Sequence, residues 1–448
     1  MIKLGFLQFR ASWRVWITAG VVFSIAGWLI GFCLTGIISL QAVLSGADKI
    51  SHDPTPLFLM PITFGGMTLF FVLGGVIRNV LKEMQQTYQL WTILGASPTQ
   101  ISFLVAIQLG IIGIIGSFIG YFIGLSTITP LYRLLQTSLG RNWLPPVSFH
   151  FSIIVLGLNC GIISLTCFLA GISQTRRGLR QLDMDIHSRQ NHFHMSTILA
   201  VLAVIGLLTN IMQVLSQTGT HGSYLQMARV DGSPLYLAMV ALVVLQLSAG
   251  RAFLPRLLAF LTSKLSVCLS PIGGTARRQV LADTEHMTTT IVPILVMQTL
   301  VVGLYELLYG FSAPDQVDAK NVVVVFVVYV GAPIILVAAN IVSLAMLKGR
   351  QQEQNLSRLS QLGFTKRQLF QERFVESALY MLSLSIVAIA SNGLLYGLLA
   401  IACFKTGITL NVSLSIILTV PVVVAIMTML ILILIDSTVI ARSRSIAS

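Results

Sequence analysis

The polar segment Trp91-Thr-Ile-Leu-Gly-Ala-Ser-Pro-Thr-Gln-Ile101 lies between two long apolar runs, and Leu359-Ser-Gln-Leu-Gly-Phe-Thr-Lys-Arg-Gln-Leu369 lies between two others. Aligning Gly95 with Gly363 places Leu before each glycine, pairs Ser97 with Thr365, and places a Gln three positions after each hydroxyl residue. This recurrence predicts two related membrane units, each with one polar element at a membrane face. A duplicated contact element implies a duplicated or symmetric partner.

The composition indicates an integral membrane protein. The 448 residues are 55% hydrophobic and 10% charged, and the mean hydropathy is +0.87, so one soluble core cannot bury the apolar surface. The net charge of +13 does not indicate nucleic acid, because Lys and Arg flank apolar runs and form no basic stripe. The five cysteines lie mostly inside apolar runs without metal-ligand spacing, which predicts neither disulfides nor a metal site.

The apolar runs predict an all-α polytopic membrane protein with about ten transmembrane helices. Each run reaches the roughly 20 residues that a helix needs to cross the hydrocarbon core, and open strands cannot satisfy their backbone in lipid. The predicted spans are 15–40, 57–81, 102–130, 148–173, 195–215, 234–250, 287–311, 321–347, 374–403 and 412–440.

The order of the spans predicts two four-helix units joined by two extra helices. The first unit covers residues 1–175 and the second covers 274–448, with linkers and helices five and six in 176–273. The basic, partly amphipathic segment 274–287 opens the second unit. We expect it to lie along the inner membrane surface.

The distribution of Lys and Arg predicts the orientation. With both termini in the cytoplasm, the inside segments hold 22 of these residues and the outside segments hold six. Because positive charge concentrates in cytoplasmic loops, both termini and both polar segments are predicted to be cytoplasmic.

The first polar segment predicts a short amphipathic helix followed by a turn. Met84, Tyr88 and Trp91 recur at helical spacing, Gly95 suits the end of the helix, and Ser97 suits the N-cap of the next one.

The second polar segment predicts the same arrangement. Leu356, Leu359 and Leu362 form its apolar stripe, Gly363 its stop and Thr365 its cap. An alternative for both segments is an ordinary amphipathic loop lying on lipid.

These residues resemble the FtsX/MacB-like permeases, the type VII group of ABC transporters. The resemblance covers roughly residues 1–175 and 275–448, and its ten-helix duplicated form is similar to antimicrobial-peptide and bacteriocin permeases without their large extracellular domain. It implies that segments 83–97 and 351–365 are coupling helices that dock on a cytoplasmic ATPase. The residues implied in coupling are Glu83, Tyr88, Leu90, Trp91, Leu94, Gly95, Ser97, Gln100, Glu353, Leu356, Leu359, Leu362, Gly363, Thr365 and Gln368.

The resemblance implies a permease subunit in the plasma membrane of a bacterium. It would couple ATP hydrolysis to export or membrane extraction of an amphipathic or hydrophobic substrate, such as an antimicrobial peptide or bacteriocin. The chain has no Gly-x-x-x-x-Gly-Lys-Ser/Thr loop, so ATP and Mg are expected on a partner ATPase, present in two copies. The alternative is a mechanotransmission module that moves no substrate and regulates an extracellular hydrolase or a sensor kinase.

Glycines in the third and ninth helices predict close helix packing. Gly116, Gly120 and Gly124 form small-x-x-x-small steps, and Gly393 and Gly397 repeat the spacing. Such steps let helix backbones approach. They indicate either static packing or a sliding interface.

Three carboxylates in or near the spans carry further expectations. Glu306, near the outer end of helix seven, either receives a cationic substrate on a transport path or snorkels to the surface. Glu376 and Asp436 lie near cytoplasmic ends, where basic residues such as Arg373 and Arg442 are expected to pair with them.

Overall fold

The computed structural model describes residues 13–45, 54–140, 144–183, 193–216, 230–264, 271–282, 284–310, 324–343, 361, 363–410 and 412–442. Among these residues there is no strand, and nine helices are long and apolar enough to cross a membrane. The prediction of an all-α polytopic membrane protein is confirmed.

The helices are numbered here in chain order. Their bounds are α1 Trp13–Leu44, α2 Pro56–Glu83, α3 Gln85–Ile93, α4 Pro98–Leu139, α5 Ile153–Asp183, α6 Phe193–Ser216, α7 Gly232–Lys264, α8 Pro271–Ala282, α9 Thr284–Gly310, α10 Val324–Ser343, α11 Lys366–Thr406 and α12 Leu414–Arg442. The predicted span 57–81 corresponds to α2, a continuous helix of 28 residues. Its apolar stretch, among the residues described, is the shorter Pro56–Gly66.

The helices form two compact units whose membership differs from the predicted division. Residues 1–189 and 318–347 form unit 1, and residues 190–317 and 348–448 form unit 2. Helices α6 and α7 therefore belong with the last helices, and α10 belongs with the first ones. The chain leaves unit 2 to contribute one helix to unit 1 and then returns.

Specific contacts place α10 in unit 1. Ser343 Oγ donates to the carbonyl oxygen of Thr18 on α1 at 3.2 Å. A Cβ added at Gly65 on α2 would lie 3.2 Å from the Cβ of Ala332. Helix α10 thus packs against both α1 and α2, which are distant from it in sequence.

In unit 1, a glycine stripe on α4 meets the backbone of α1. A Cβ added at Gly120 would lie 2.2 Å from the carbonyl oxygen of Ser24 and 2.4 Å from the amide nitrogen of Trp28. Gly116 and Gly124 also face α1 at less than ordinary van der Waals contact. The close packing expected of these three glycines is present.

Asparagine and glutamine side chains join three helices in each unit. In unit 1, Asn159 Nδ2 on α5 donates to the carbonyl oxygens of Gly27 and Ser117 at 3.2 and 3.1 Å. In unit 2, Gln246 Nε2 on α7 donates to Thr299 Oγ1 on α9 at 2.7 Å and to Ser391 Oγ on α11 at 3.0 Å. Hydrogen bonds between apolar helices help to specify which faces meet.

Within the part of the chain that the structure describes, the packing expected at Gly393 and Gly397 is absent. A Cβ added at either glycine would meet no atom within 4 Å among the described residues. The packed face of α11 carries Leu395 and Leu399 instead, whose side chains fill the space beside glycines of α9. Gly393 and Gly397 thus share the spacing of the α4 stripe, but among the described residues no helix backbone packs against them as α1 packs against α4.

Candidate functional site

The two polar segments form the same backbone turn. Gly95 and Gly363 both have φ of +90°, a region that L side chains rarely adopt. Among the described residues, a Cβ at either glycine would meet nothing within 4 Å, and the positive φ by itself favours glycine at both positions. The match between positions 268 residues apart supports the duplication inferred from the sequence.

Backbone hydrogen bonds end α3 in a Schellman motif. The amide of Gly95 donates to the carbonyl oxygen of Thr92, and the amide of Ala96 donates to that of Trp91, both at 3.0 Å. These bonds satisfy carbonyls that the helix end would otherwise leave unpaired. The predicted stop at Gly95 is confirmed.

Each turn leads into a complete capping box. Ser97 Oγ accepts from the amide of Gln100 at 3.3 Å, and Gln100 Oε1 accepts from the amide of Ser97 at 3.2 Å. Thr365 and Gln368 make the equivalent pair at 3.4 and 2.8 Å. The predicted caps are confirmed, and the paired glutamines complete them.

The next residue after each capping box points inward. Ile101 and Leu369, which the alignment pairs, are both buried. The first inward-facing residues of the long helices α4 and α11 therefore occupy equivalent positions after the two turns.

Helix α3 has one face turned into unit 1. Tyr88 is 3% exposed and its hydroxyl lies 3.5 Å from Met84 Sδ. Trp91 is half-buried against the same core, with its ring centroid 5.9 Å from that of Tyr88. Tyr88, for which the resemblance implies a part in coupling, is thus packed against unit 1 and anchors α3 there.

The opposite face of α3 is apolar and exposed. Leu90, Ile93 and Leu94 are 60%, 80% and 83% exposed, and their spacing places them on one side of the helix. Ile93 was missed by the sequence reasoning, although its position three residues after Leu90 could have revealed it. These three residues, called here the α3 face, form an apolar patch beside the glycine turn.

Several predicted coupling residues lie outside the described residues. They are Glu353, Leu356, Leu359, Leu362 and the side chain of Glu83. Of the second segment, 351–365, the structure describes residues 361 and 363–365.

A buried polar network follows the second capping box. Arg373 Nη1 donates to Glu376 Oε2 at 2.6 Å, and both residues are buried, which confirms the predicted pairing. Gln279 on α8, with its amide oriented to satisfy both ends, donates to Glu372 Oε1 at 2.8 Å and accepts from Arg373 Nη1 and Nη2 at 3.2 and 3.1 Å. This network ties α8 to the start of α11. Nothing in the residues around Gln279 indicates its part in the network.

The helices that leave the two turns are unusually long. Helix α4 has 42 residues and α11 has 41, which corresponds to about 60 Å each at 1.5 Å per residue. A bilayer with its headgroups is about 40–45 Å thick. Each helix can therefore join its glycine turn to the opposite face of the membrane in one continuous element.

We expect Ser97→Ala and Thr365→Ala each to lower the free energy of unfolding by about 1 kcal/mol, because each removes the acceptor of a helix N-cap. Unfolding in mixed dodecylmaltoside and SDS micelles measures the change. Gln371→Ala serves as a control, since Gln371 is exposed on the same helix as Thr365 and outside its capping box. Equal stability of Thr365→Ala and Gln371→Ala would contradict the assigned cap.

The amino-acid sequence matches no protein-family model and no curated protein at a significant level. Any functional conclusion therefore depends on the chain's own residues and on the geometry described above.

Proposed function

We propose that this chain is the permease subunit of an ABC transporter. The observation that carries the proposal is the repeated element: a positive-φ glycine, a capping box and a transmembrane helix of about 60 Å, present in both halves of the chain. In the first copy this element also carries the exposed apolar α3 face. A helix anchored on one side and apolar on the other suits docking in a partner groove.

The proposed mechanism is mechanical. Closure of an ATPase dimer pushes on segments 83–97 and 351–365, and α4 and α11 carry the displacement across the membrane. The buried side chain of Tyr88 transmits the push on α3 to unit 1. The network of Arg373, Glu376 and Gln279 moves α8 together with α11.

The partner supplies the chemistry in this proposal. ATP and Mg bind to the ATPase, and the two coupling segments of one chain engage two ATPase copies. A purified complex with two permease chains per ATPase pair would contradict this stoichiometry. The orientation proposed from the basic residues places both termini in the cytoplasm of a bacterium.

The proposed load is an amphipathic or hydrophobic molecule, such as an antimicrobial peptide or bacteriocin, extracted from the membrane or exported. The exposed faces of helices such as α5 and α6 are apolar. They suit a protein that meets its substrate within lipid.

We expect Ile93→Glu to abolish co-purification of the ATPase. The substitution places a charge in the middle of the α3 face, where burial against a partner would desolvate it. Because Ile93 is 80% exposed, the permease itself should keep its folded yield and apparent melting temperature. The measurement is pull-down of a co-expressed candidate ABC ATPase, with size-exclusion of the permease as the folding check.

The matched control is Ile93→Leu, which keeps the α3 face apolar and should retain the ATPase. Tyr88→Phe is a second control, because it keeps the buried ring that anchors α3. If Ile93→Glu and Ile93→Leu recovered equal amounts of ATPase, α3 would not be the docking element.

A further inference from the structure

Glu306 lies fully inside unit 2. Its side chain is on α9 and is 2% exposed, so it does not snorkel to the surface. Neither carboxyl oxygen has a hydrogen-bond partner among the described residues. An ionisable group in a membrane span without a partner is costly and marks a place where a ligand can supply the missing interaction.

Flexible apolar side chains approach α9 one turn before and one turn after Glu306. Gly303 and Gly310 lie one turn before and one turn after Glu306 on the same face of α9. A Cβ at Gly303 would lie 2.8 Å from Met239 Sδ on α7, and a Cβ at Gly310 would lie 2.8 Å from Leu399 Cδ2 on α11. Because the glycines have no side chains, the ends of these apolar residues fill the space on this face of α9, on both sides of Glu306 along the helix.

Flexible apolar side chains can change rotamer at a small cost in free energy. Methionine has three rotatable bonds and a polarisable sulfur, which lets it fit irregular apolar shapes. Leu395 is a second flexible side chain at this position, because its Cδ1 lies 3.2 Å from the same Gly303 Cβ position. We expect that rotation of these side chains can make room on this face of α9 while the helices stay in place.

A polar layer lies about 10 Å from Glu306 along α9, at Thr299, seven residues earlier. Gln246 donates there to Thr299 and Ser391. The neighbouring amides of Gln298 and Asn392 are fully buried, and neither amide has a partner among the described residues. These groups can hold water or further polar atoms of a ligand that enters from the membrane.

We propose that Glu306, Met239, Leu395 and Leu399 form an intramembrane binding site for an amphipathic monovalent cation. The apolar body of the ligand replaces contacts among the three flexible side chains. As the cation binds, the Glu306 carboxyl releases its proton to solvent, and the resulting carboxylate neutralises the charge of the ligand. As a substrate site, this inference rests on the proposed transport function. As a binding site, it stands on the geometry of unit 2 alone.

Labelling with dicyclohexylcarbodiimide tests the carboxyl directly, because this apolar reagent modifies protonated, unpaired carboxyl groups. In the full-length chain in detergent, peptide mass spectrometry should find Glu306 modified and Glu376 unmodified, since Arg373 pairs with Glu376. Tetraphenylphosphonium should protect Glu306 from the reagent, and uncharged triphenylphosphine oxide should not. Labelling that tetraphenylphosphonium leaves unchanged, or no labelling of Glu306, would overturn the site.

Glu306→Gln provides a second measurement, because it keeps the size of the side chain and removes its charge. Tetraphenylphosphonium binding, measured by equilibrium dialysis, should weaken about tenfold or more, a factor that corresponds to about 1.4 kcal/mol. Triphenylphosphine oxide binding should stay unchanged. Equal affinity of both forms for the cation would reject the role of Glu306, and neither experiment depends on whether an ATPase docks on α3.

Discussion

Replacing Gly120 with leucine is expected to abolish the recovery of folded protein. The Cβ of any side chain at this position would lie 2.2 Å from the carbonyl oxygen of Ser24 and 2.4 Å from the amide nitrogen of Trp28. Both atoms are backbone, so no rotamer change relieves the clash, and α1 and α4 must separate. Fluorescence-detected size exclusion of the solubilised protein measures the loss of the monodisperse peak.

A smaller substitution gives a graded version of the same prediction. Gly120→Ala should lower the free energy of unfolding by about 3 kcal/mol, the upper range of ordinary overpacking in a core. Separation of the helices would also strain the bonds from Asn159 to the carbonyl oxygens of Gly27 and Ser117. The effect should therefore spread from α1 and α4 to α5.

The matched control is Gly157→Ala on α5 of the same unit. A Cβ at Gly157 would meet no described residue within 4 Å, and alanine favours a helix over glycine by up to about 1 kcal/mol. Gly157→Ala should leave stability unchanged or raise it slightly. If both alanine variants lost the same stability, crowding at Gly120 would not explain its requirement.

The glycines show where sequence reasoning succeeds and where it stops. Gly116 to Gly124 and Gly393 to Gly397 have the same spacing, yet of the two groups only the first meets another helix backbone among the residues described. Spacing along one helix predicts that a close approach is possible. Whether a second helix occupies that face depends on residues far away in sequence, which local patterns do not contain.

The two glycine turns, in contrast, were predictable because they depend on local signals. The stop at Gly95 and the cap at Ser97 depend on backbone conformation and on bonds within three residues, so their signals are local. Thr365 caps α11 in the same way in the second half of the chain. By contrast, the inward orientation of Tyr88 was not predictable from α3 alone, because both faces of that helix carry apolar residues.

Membership of the two units also depends on distant contacts. Helices α6 and α7 were expected to stand between two four-helix units, but they are part of unit 2. There, Lys405 of α11 donates to the carbonyl oxygens of Val214 and Leu215 at the end of α6. A cation at a helix C-terminus is favourable, yet nothing near Lys405 in sequence identifies that helix.

Removing the guanidinium of Arg373 is expected to destabilise the protein strongly. Arg373→Ala leaves Glu376, which is 7% exposed, without its ion pair, and it deprives the Gln279 amide oxygen of two donors. Breaking a buried pair from one side typically costs about 3–5 kcal/mol, because a charge remains without compensation. Unfolding in mixed micelles measures this loss.

Arg367→Ala is the matched control, since Arg367 lies on the same helix but is exposed. Its removal should change stability by no more than about 0.5 kcal/mol. Adding Glu376→Gln to Arg373→Ala should recover part of the lost stability, because it removes an uncompensated carboxylate. Equal losses for Arg373→Ala and Arg367→Ala would show that the network does not stabilise the junction.

A conservative substitution at Arg373 separates the stability of the protein from coupling in the proposed mechanism. Arg373 lies eight residues after the cap at Thr365 and contacts Gln279 on α8, so its loss weakens the link between α8 and the start of α11. Arg373→Lys keeps the charge but loses the planar fork that reaches Glu376 and Gln279 together. We expect Arg373→Lys to retain the ATPase in pull-down while lowering transport-linked ATPase stimulation, and full stimulation in this variant would remove α8 from the coupling path.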